Sequence, residues 1–311
     1  MHQKRLAVVI AGPTAVGKTA LAIDLAERFP CDLISVDSAM IYRGMDIGTA
    51  KPDAATLRRA PHALIDIRDP NQTYSAGEFT RDAAQALERA WDRGRLPILV
   101  GGTLLYVRAL HGGLADLPAA DASVRAAIDA AADRVGWPAM HAELGRVDAA
   151  SAARIAPHDA QRIQRALEVY RLIGRPLSAL QRDAKAATPD WRTLAFGLLP
   201  AQRHVLHERI ERRFDAMLAE GFVDEVRALL ERWALTAAAP SMRAVGYRQL
   251  ARFVRGDEDF AAAAQAGKAA TRQLAKRQST WLRHDPLYTL CDPLTEPVFD
   301  QIATAIDAAR Q

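Results

Sequence analysis

Gly12-Pro13-Thr14-Ala15-Val16-Gly17-Lys18-Thr19 decides how the rest of the chain is read. The stretch matches G-x-x-x-x-G-K-[ST] in full, a loop whose backbone N–H groups wrap phosphate oxygens. Its glycines permit close wrapping, Lys18 adds a point charge, and the Thr19 hydroxyl is the expected Mg²⁺ ligand. The context agrees. Leu6-Ala7-Val8-Val9-Ile10 before the loop is a short apolar run, and Leu21, Leu25 and Phe29 after it recur at every fourth position. Strand, loop and helix in that order set the loop at a helix N-terminus, where anions bind.

Further along, Leu33-Ile34-Ser35-Val36 reads as a second buried strand ending at Asp37, and Leu64-Ile65-Asp66-Ile67 as a short third. A helix from Ala76 to Arg93 precedes Pro97-Ile98-Leu99-Val100, which Gly101-Gly102-Thr103 closes. Strands alternating with helices predict an α/β fold, a P-loop parallel sheet core with helices on both faces. From Ala119 to about Pro189 only helical periodicity remains, broken at Pro138, Pro157 and Pro176. A strand signal returns over Leu194 to Leu199, followed by helices expected at Gln202 to Glu220, Val223 to Trp233 and Phe260 to Arg283. The implied organisation is a core of residues 1–118 and 190–311 interrupted by a helical insertion domain, residues 119–189.

In 311 residues, 50% are hydrophobic and 25% charged, which excludes a disordered chain. A net charge of +4 admits a polyanionic partner without requiring one. The two cysteines, Cys31 and Cys291, lack metal-site spacing and suit a reducing cytosol. Met1-His2-Gln3-Lys4-Arg5 has a signal-like charge, but Gly12-Pro13 cuts the following apolar run too early for a signal core. No run approaches the about 20 apolar residues that span a bilayer. A soluble, cytoplasmic protein with no membrane partner is expected.

The loop does not name its phosphate compound. Its type belongs to nucleotide- and ATP-binding proteins, and a small-molecule kinase is the default reading. Against that, the run before Gly101 carries no acid of the kind that supports Mg²⁺ in nucleotide hydrolases. Asp37 is better placed, at the carboxyl end of a strand, where open α/β sheets form their crevice.

Around Asp37 the pattern becomes more specific. Ser35-Val36-Asp37-Ser38-Ala39-Met40-Ile41-Tyr42 and Gly44-Met45-Asp46-Ile47-Gly48-Thr49-Ala50-Lys51-Pro52 resemble the tRNA dimethylallyltransferase (tRNA isopentenyltransferase) family. So do Pro61-His62, Asp66 to Pro70, Tyr74-Ser75-Ala76, Gly101 to Tyr106, Asp159 to Arg162, Leu167-Glu168-Val169, Val245 to Gln249, and Thr271 to Gln278 with Trp281-Leu282-Arg283. These blocks follow the family's order over most of the chain.

The resemblance implies transfer of a dimethylallyl group from dimethylallyl diphosphate to the exocyclic amine of the tRNA adenosine 3′-adjacent to the anticodon. The phosphate loop, Gly12 to Thr19, would then hold the donor's diphosphate, with Mg²⁺ at Thr19. Three residues would be catalytic: Asp37, Thr103 and Arg213. The adenine amine is a poor nucleophile, and a carboxylate base would accelerate its attack by about 10²–10⁴-fold. Asp37 is that base by resemblance; capping the turn after its strand is its other reading. Thr103 stands between bonding the reacting groups and capping a helix. Arg213 has Arg209 and Arg212 as neighbours and reads equally as an exposed helix cation.

The resemblance also implies tRNA contacts in four segments. The first holds Asp37, Ser38, Ala39 and Met40, joined by Thr103. The second is Gln161, Arg162, Ile163, Gln164 and Arg165. The third is Arg243, Ala244, Val245, Gly246, Tyr247 and Arg248. The fourth is Lys276, Arg277, Gln278, Ser279, Thr280, Trp281, Leu282 and Arg283. Helical spacing at 100° per residue sets Arg272, Lys276 and Arg283 within about 40° of one another, a stripe suited to phosphates. It turns Trp281 to the opposite face with Leu274, toward a core. On the second segment's helix, Ile163, Leu167 and Tyr170 form the apolar face and leave Gln161, Arg162 and Arg165 for RNA. A monomer is expected. The competitors are a kinase, a prenyltransferase acting on free adenine nucleotides, and a phosphate-switched RNA-binding protein.

Overall fold

The structure is a computed structural model that describes residues 5–112, 115, 117–183, 189–237 and 239–310. The charged start Met1 to Lys4 and residues 184–188 of the expected insertion lie outside the described residues. The chain divides into two compact units, Met1–Leu110 with Pro189–Gln311, and His111–Thr188.

The larger unit is built on one six-stranded sheet in which every pairing is parallel. Its strands are β1 (Leu6–Ala11), β2 (Cys31–Val36), β3 (His62–Ala63), β4 (Leu96–Gly101), β5 (Arg192–Leu198) and β6 (Thr289–Cys291), in the order β3-β2-β4-β1-β5-β6. The first half carries helices α1 (Lys18–Arg28), α2 (Ala54–Arg59), α3 (Ala76–Asp92) and α4 (Leu104–Gly112). Side chains of β1 alternate between two cores, Val8 and Ile10 into one and Ala7, Val9 and Ala11 into the other. Helix α1 covers the first core and α3 and α4 cover the second, so both faces are dry and the strands read as unbroken apolar runs. Ser75 and Glu78 start α3 with a reciprocal capping box.

The third strand lies two residues earlier than the apolar run suggests. Only His62–Ala63 pair with β2, and Leu64 (φ +66°) and Asp66 (φ +55°) then enter the left-handed region, which ends the strand. The apolar residues that follow pack as a loop, Leu64 and Ile67 against the core under α3. β6 gave no sequence signal, being three residues at the sheet edge.

The smaller unit is helical: α5 (Ala122–Val135), α6 (Trp137–Val147), α7 (Ala149–Ala152), α8 (Ala160–Ile173) and α9 (Leu177–Asp183). Ile128, Met140, Leu144, Ile163 and Leu167 fill its core. Pro138 opens α6 within its first turn, where a missing N–H costs nothing, rather than breaking a helix.

After β5 the larger unit continues with α10 (Arg203–Ala219), α11 (Phe222–Trp233), a 3₁₀ turn (Ser241–Arg243), α12 (Tyr247–Val254), α13 (Phe260–His284) and α14 (Val298–Arg310). Phe214, Phe222, Tyr247 and Leu250 join Ile41 and Met45 in a third core. Helix α14 buries Val298, Ile302 and Ile306 against the α1 side of the sheet. Among the described residues no helix is long and apolar enough to cross a membrane.

Candidate functional site

Three parallel strands, β1, β2 and β4, deliver their carboxyl ends to one edge of the sheet. The loop after β1 turns into α1 through Gly17, whose φ of +106° favours glycine. No side chain caps α1, so its first N–H groups remain for a ligand. Ala15 holds φ +66°, a left-handed conformation costing on the order of 1–3 kcal/mol. That strain sits in a cleft of about 550 Å³ lined by Ala15, Gly17, Lys18, Thr19, Ala20, Ala50, Arg209, Arg212 and Arg213. Four lining residues are cations and none is an acid.

Lys18 Nζ donates to Pro13 O at 2.9 Å. Part of its side chain faces the cleft, yet protein crowds the ammonium. Burial pulls it down to about 8, with Asp37 opposing and Arg213 adding to the effect. Burial likewise lowers Arg213, and Asp37 counters it. The carboxylate therefore acts on both cations. Arg213 lines the cleft together with its neighbours and is not a purely exposed helix cation; its Nη2 donates to Thr49 O at 3.3 Å.

Asp37 Oδ1 accepts the N–H groups of Ala39 (2.8 Å) and Met40 (3.2 Å), capping the turn after β2. Among the described residues, Oδ2 has no hydrogen-bond partner. Thr103 Oγ1 accepts Ser38 N–H at 3.1 Å and donates to Ser38 Oγ at 3.3 Å. Its hydroxyl thus ties the β4 end to the β2 end instead of capping α4. Gln278 of α13 accepts Thr14 N–H at 3.0 Å and donates to Gly102 O at 2.9 Å.

One organising residue has no sequence motif of its own. Glu225 of α11 accepts the N–H groups of Asp46 (3.0 Å), Ile47 (2.7 Å) and Gly48 (3.2 Å), and the Tyr247 hydroxyl at 2.5 Å. The loop so held presents Thr49 O to Arg213 and Ala50 to the cleft. A carboxylate on an amphipathic helix reads as solvated from sequence; the unpaired N–H groups of a Gly-bearing loop are the signal that would have found it.

The residues expected at RNA fall into two groups. Gln161, Arg162, Arg243, Arg248, Lys276, Arg277, Thr280 and Arg283 are exposed, as is Ser38; Ala39, Met40, Ala244 and Val245 are half-buried. Others are buried or already paired within the protein, and direct contact with RNA is corrected for the buried Ile163, Gly246, Tyr247, Ser279 and Leu282. Ile163, Tyr247 and Leu282 are core residues, and Gly246 is buried. Ser279 spends its hydroxyl on Ala275 O. Trp281 packs beside the α4 core and donates to Asp285 at 3.3 Å, the core placement its helical phase suggests. Gln164 bonds Asp129 at 2.6 Å. Arg165, read as free for RNA, instead pairs with the fully buried Glu168 at 2.6 Å and donates to Pro118 O at 2.7 Å. Burying a carboxylate requires such partners, and Arg125 is the second, at 2.8 Å. In the basic stripe, Arg272 is held by Glu211 at 2.6 Å, which leaves Lys276 and Arg283.

The model of the IPP transferase family matches residues 40–285 of this chain. A tRNA dimethylallyltransferase of Thiobacillus denitrificans is 54% identical over 302 residues, covering 97% of this chain and 96% of that protein. Among solved structures, a tRNA isopentenylpyrophosphate transferase from Bacillus halodurans superposes with a TM-score of 0.71 at 36% identity, over 98% of this chain and 96% of its own. A eukaryotic dimethylallyltransferase described as acting on tRNA gives a TM-score of 0.79 at 26% identity, over 97% and 79% of the two chains. With its phosphate loop, the Asp37 edge and a family match over most of its length, the chain belongs to the IPP transferase family.

Proposed function

We propose that the chain transfers a dimethylallyl group from dimethylallyl diphosphate to the exocyclic amine of the tRNA adenosine 3′-adjacent to the anticodon, releasing diphosphate. The observation that carries this reading is one carboxylate, Asp37, acting on both Lys18 and Arg213 beside a cleft whose charged lining residues are all cations. Such a cleft favours a leaving group that gains negative charge, and the carboxylate beside it can take a proton.

The allylic C–O bond breaks with its electron pair passing to the diphosphate, whose growing charge Lys18, Arg213 and the N–H groups at the start of α1 stabilise. The amine lone pair forms the new C–N bond, and Asp37 Oδ2 accepts the proton displaced from nitrogen. Thr103 holds the Ser38 backbone and so fixes the Asp37 turn. The Thr19 hydroxyl on the cleft is a hard oxygen donor of the kind that Mg²⁺ takes. When bound there, the ion supplies further positive charge to the leaving group.

For the acceptor, exposed Lys276, Arg277 and Arg283 with Arg243 and Arg248 would meet backbone phosphates, and Gln161 and Arg162 extend contacts from the helical unit. The target base must leave its stack to be alkylated. The protein would act as a monomer in the cytoplasm, where unmodified tRNA is available.

The test is a product assay with purified protein, Mg²⁺, dimethylallyl diphosphate and an unmodified anticodon stem-loop. Nucleosides are identified by mass after digestion. Dimethylallyl-adenosine formed without ATP supports the reading. ATP cleavage to ADP, or prenylation of free adenine nucleotide in place of RNA, would replace it.

A further inference from the structure

Gln278 lies in the α13 stretch expected to meet RNA, between the exposed Arg277 and the buried Ser279, yet its amide is spent inside the protein. One partner is a donor, Thr14 N–H, and the other an acceptor, Gly102 O, so both ends of the amide are matched and its orientation is fixed. The two partners belong to different loops, one following β1 and the other β4. A Cβ built on Gly102 would lie 2.4 Å from Gln278 Nε2, so any side chain there would push the amide out of this position. One residue further on, Thr103 holds Ser38, the neighbour of Asp37. The Thr14 amide is therefore consumed internally and is not one of the loop's phosphate donors.

We infer that Gln278 is a positioning residue for group transfer. It sets the spacing between the phosphate loop and the Thr103–Asp37 edge, and hence between the leaving group and the base. This rests on the proposed prenyl transfer. A misplacement of about 1 Å between reacting groups costs on the order of 100-fold in rate, so a two-ended clamp at this point acts on turnover rather than on RNA affinity.

Gln278→Met keeps the volume and removes both bonds; Gln278→Glu keeps the bond to Thr14 and sets a carboxylate against Gly102 O. With the full chain, single-turnover rates at saturating stem-loop should fall by about 10- to 100-fold in both variants. Stem-loop Kd and its salt slope should stay within about twofold, because no phosphate contact is lost. Amide exchange should quicken at Thr14, Ser38 and Thr103 in the methionine variant while α13 stays protected. Weakened RNA binding with a preserved rate would make Gln278 an RNA contact and overturn the inference. So would an unchanged rate, or loosening spread along α13. If the wild-type protein forms no dimethylallyl-adenosine, the functional reading fails by itself. Exchange then still decides the clamp, and unchanged Ser38 and Thr103 amides beside a freed Thr14 would overturn it.

Discussion

The Tyr247 hydroxyl donates to Glu225 Oε1 at 2.5 Å, and the same carboxylate collects three successive backbone N–H groups, from Asp46 to Gly48. Tyr247 is fully buried against Phe222 with its hydroxyl spent on this bond, and the loop it supports ends at the Arg213 contact. Tyr247→Phe should cost about 1.5–3 kcal/mol, the range for a hydrogen bond to a charged group. Donor affinity should weaken while stem-loop affinity is unchanged. Denaturant titration and calorimetry of dimethylallyl diphosphate binding check both; weaker RNA binding with intact donor binding would return Tyr247 to the RNA surface.

Asp37 has two separable duties. Asp37→Asn keeps an oxygen for the Ala39 and Met40 N–H groups but cannot serve as a base. Single-turnover transfer should fall by about 10²–10⁴-fold with the melting temperature unchanged. A near-wild-type rate would reduce Asp37 to a turn cap.

Lys18 is held down to about 8, against 10.5 for an ordinary lysine. Between those values the folded protein has released a proton that the unfolded chain keeps. Folding stability from this group therefore rises with pH across the window, and the burial penalty is largest below it. Donor binding works in the opposite sense, because a diphosphate favours the charged ammonium. Affinity for dimethylallyl diphosphate should fall by up to about tenfold per pH unit above 8, with proton uptake on binding at pH near 9. Calorimetry in two buffers of different ionisation enthalpy measures the uptake. A flat affinity and no uptake would show that Lys18 stays charged without its ligand.

Two cations on one helix should behave differently. Lys276 has no ion-pair partner among the described residues, whereas Arg272 is paired with Glu211. Lys276→Ala should lower the salt slope of stem-loop binding by about 1, and Arg272→Ala should leave it unchanged. Equal slopes for the two variants would dissolve the distinction.

In the helical unit, Arg165→Ala would leave the buried Glu168 with Arg125 as its remaining ion-pair partner. A loss of about 1.5–3 kcal/mol is expected, the range for one hydrogen bond to a charged group. Removing Arg162, whose side chain is 72% exposed, should cost less than about 1 kcal/mol. Thermal unfolding of both variants compares them, and similar midpoints would count against a structural role for Arg165.

Much of the core was legible because strands buried on both faces leave continuous apolar runs, as β1, β2, β4 and β5 do. The third strand was misplaced by two residues because Leu64 and Ile67 are apolar for packing, not for pairing. Helix α14 went unread although Val298, Ile302 and Ile306 carry its period. Motifs identify segments but not the direction of each side chain, which is how Tyr247 and Leu282 came to be expected at RNA, whereas helical phase set Arg165 on the polar face without revealing the buried Glu168 it serves. Glu225 and Gln278 act on backbone groups of distant loops, and nothing in their own neighbourhoods records those partners.

Helix α1 begins with no side chain to close its first turn. On the proposed reading, the diphosphate completes that helix, and it does so equally well before and after the allylic group departs. Substrate and product would then share the group that the phosphate loop holds. The enzyme would then stay stoppered by its own by-product until the anion leaves. Its turnover would be set by the opening of a phosphate loop as much as by the making of a carbon–nitrogen bond.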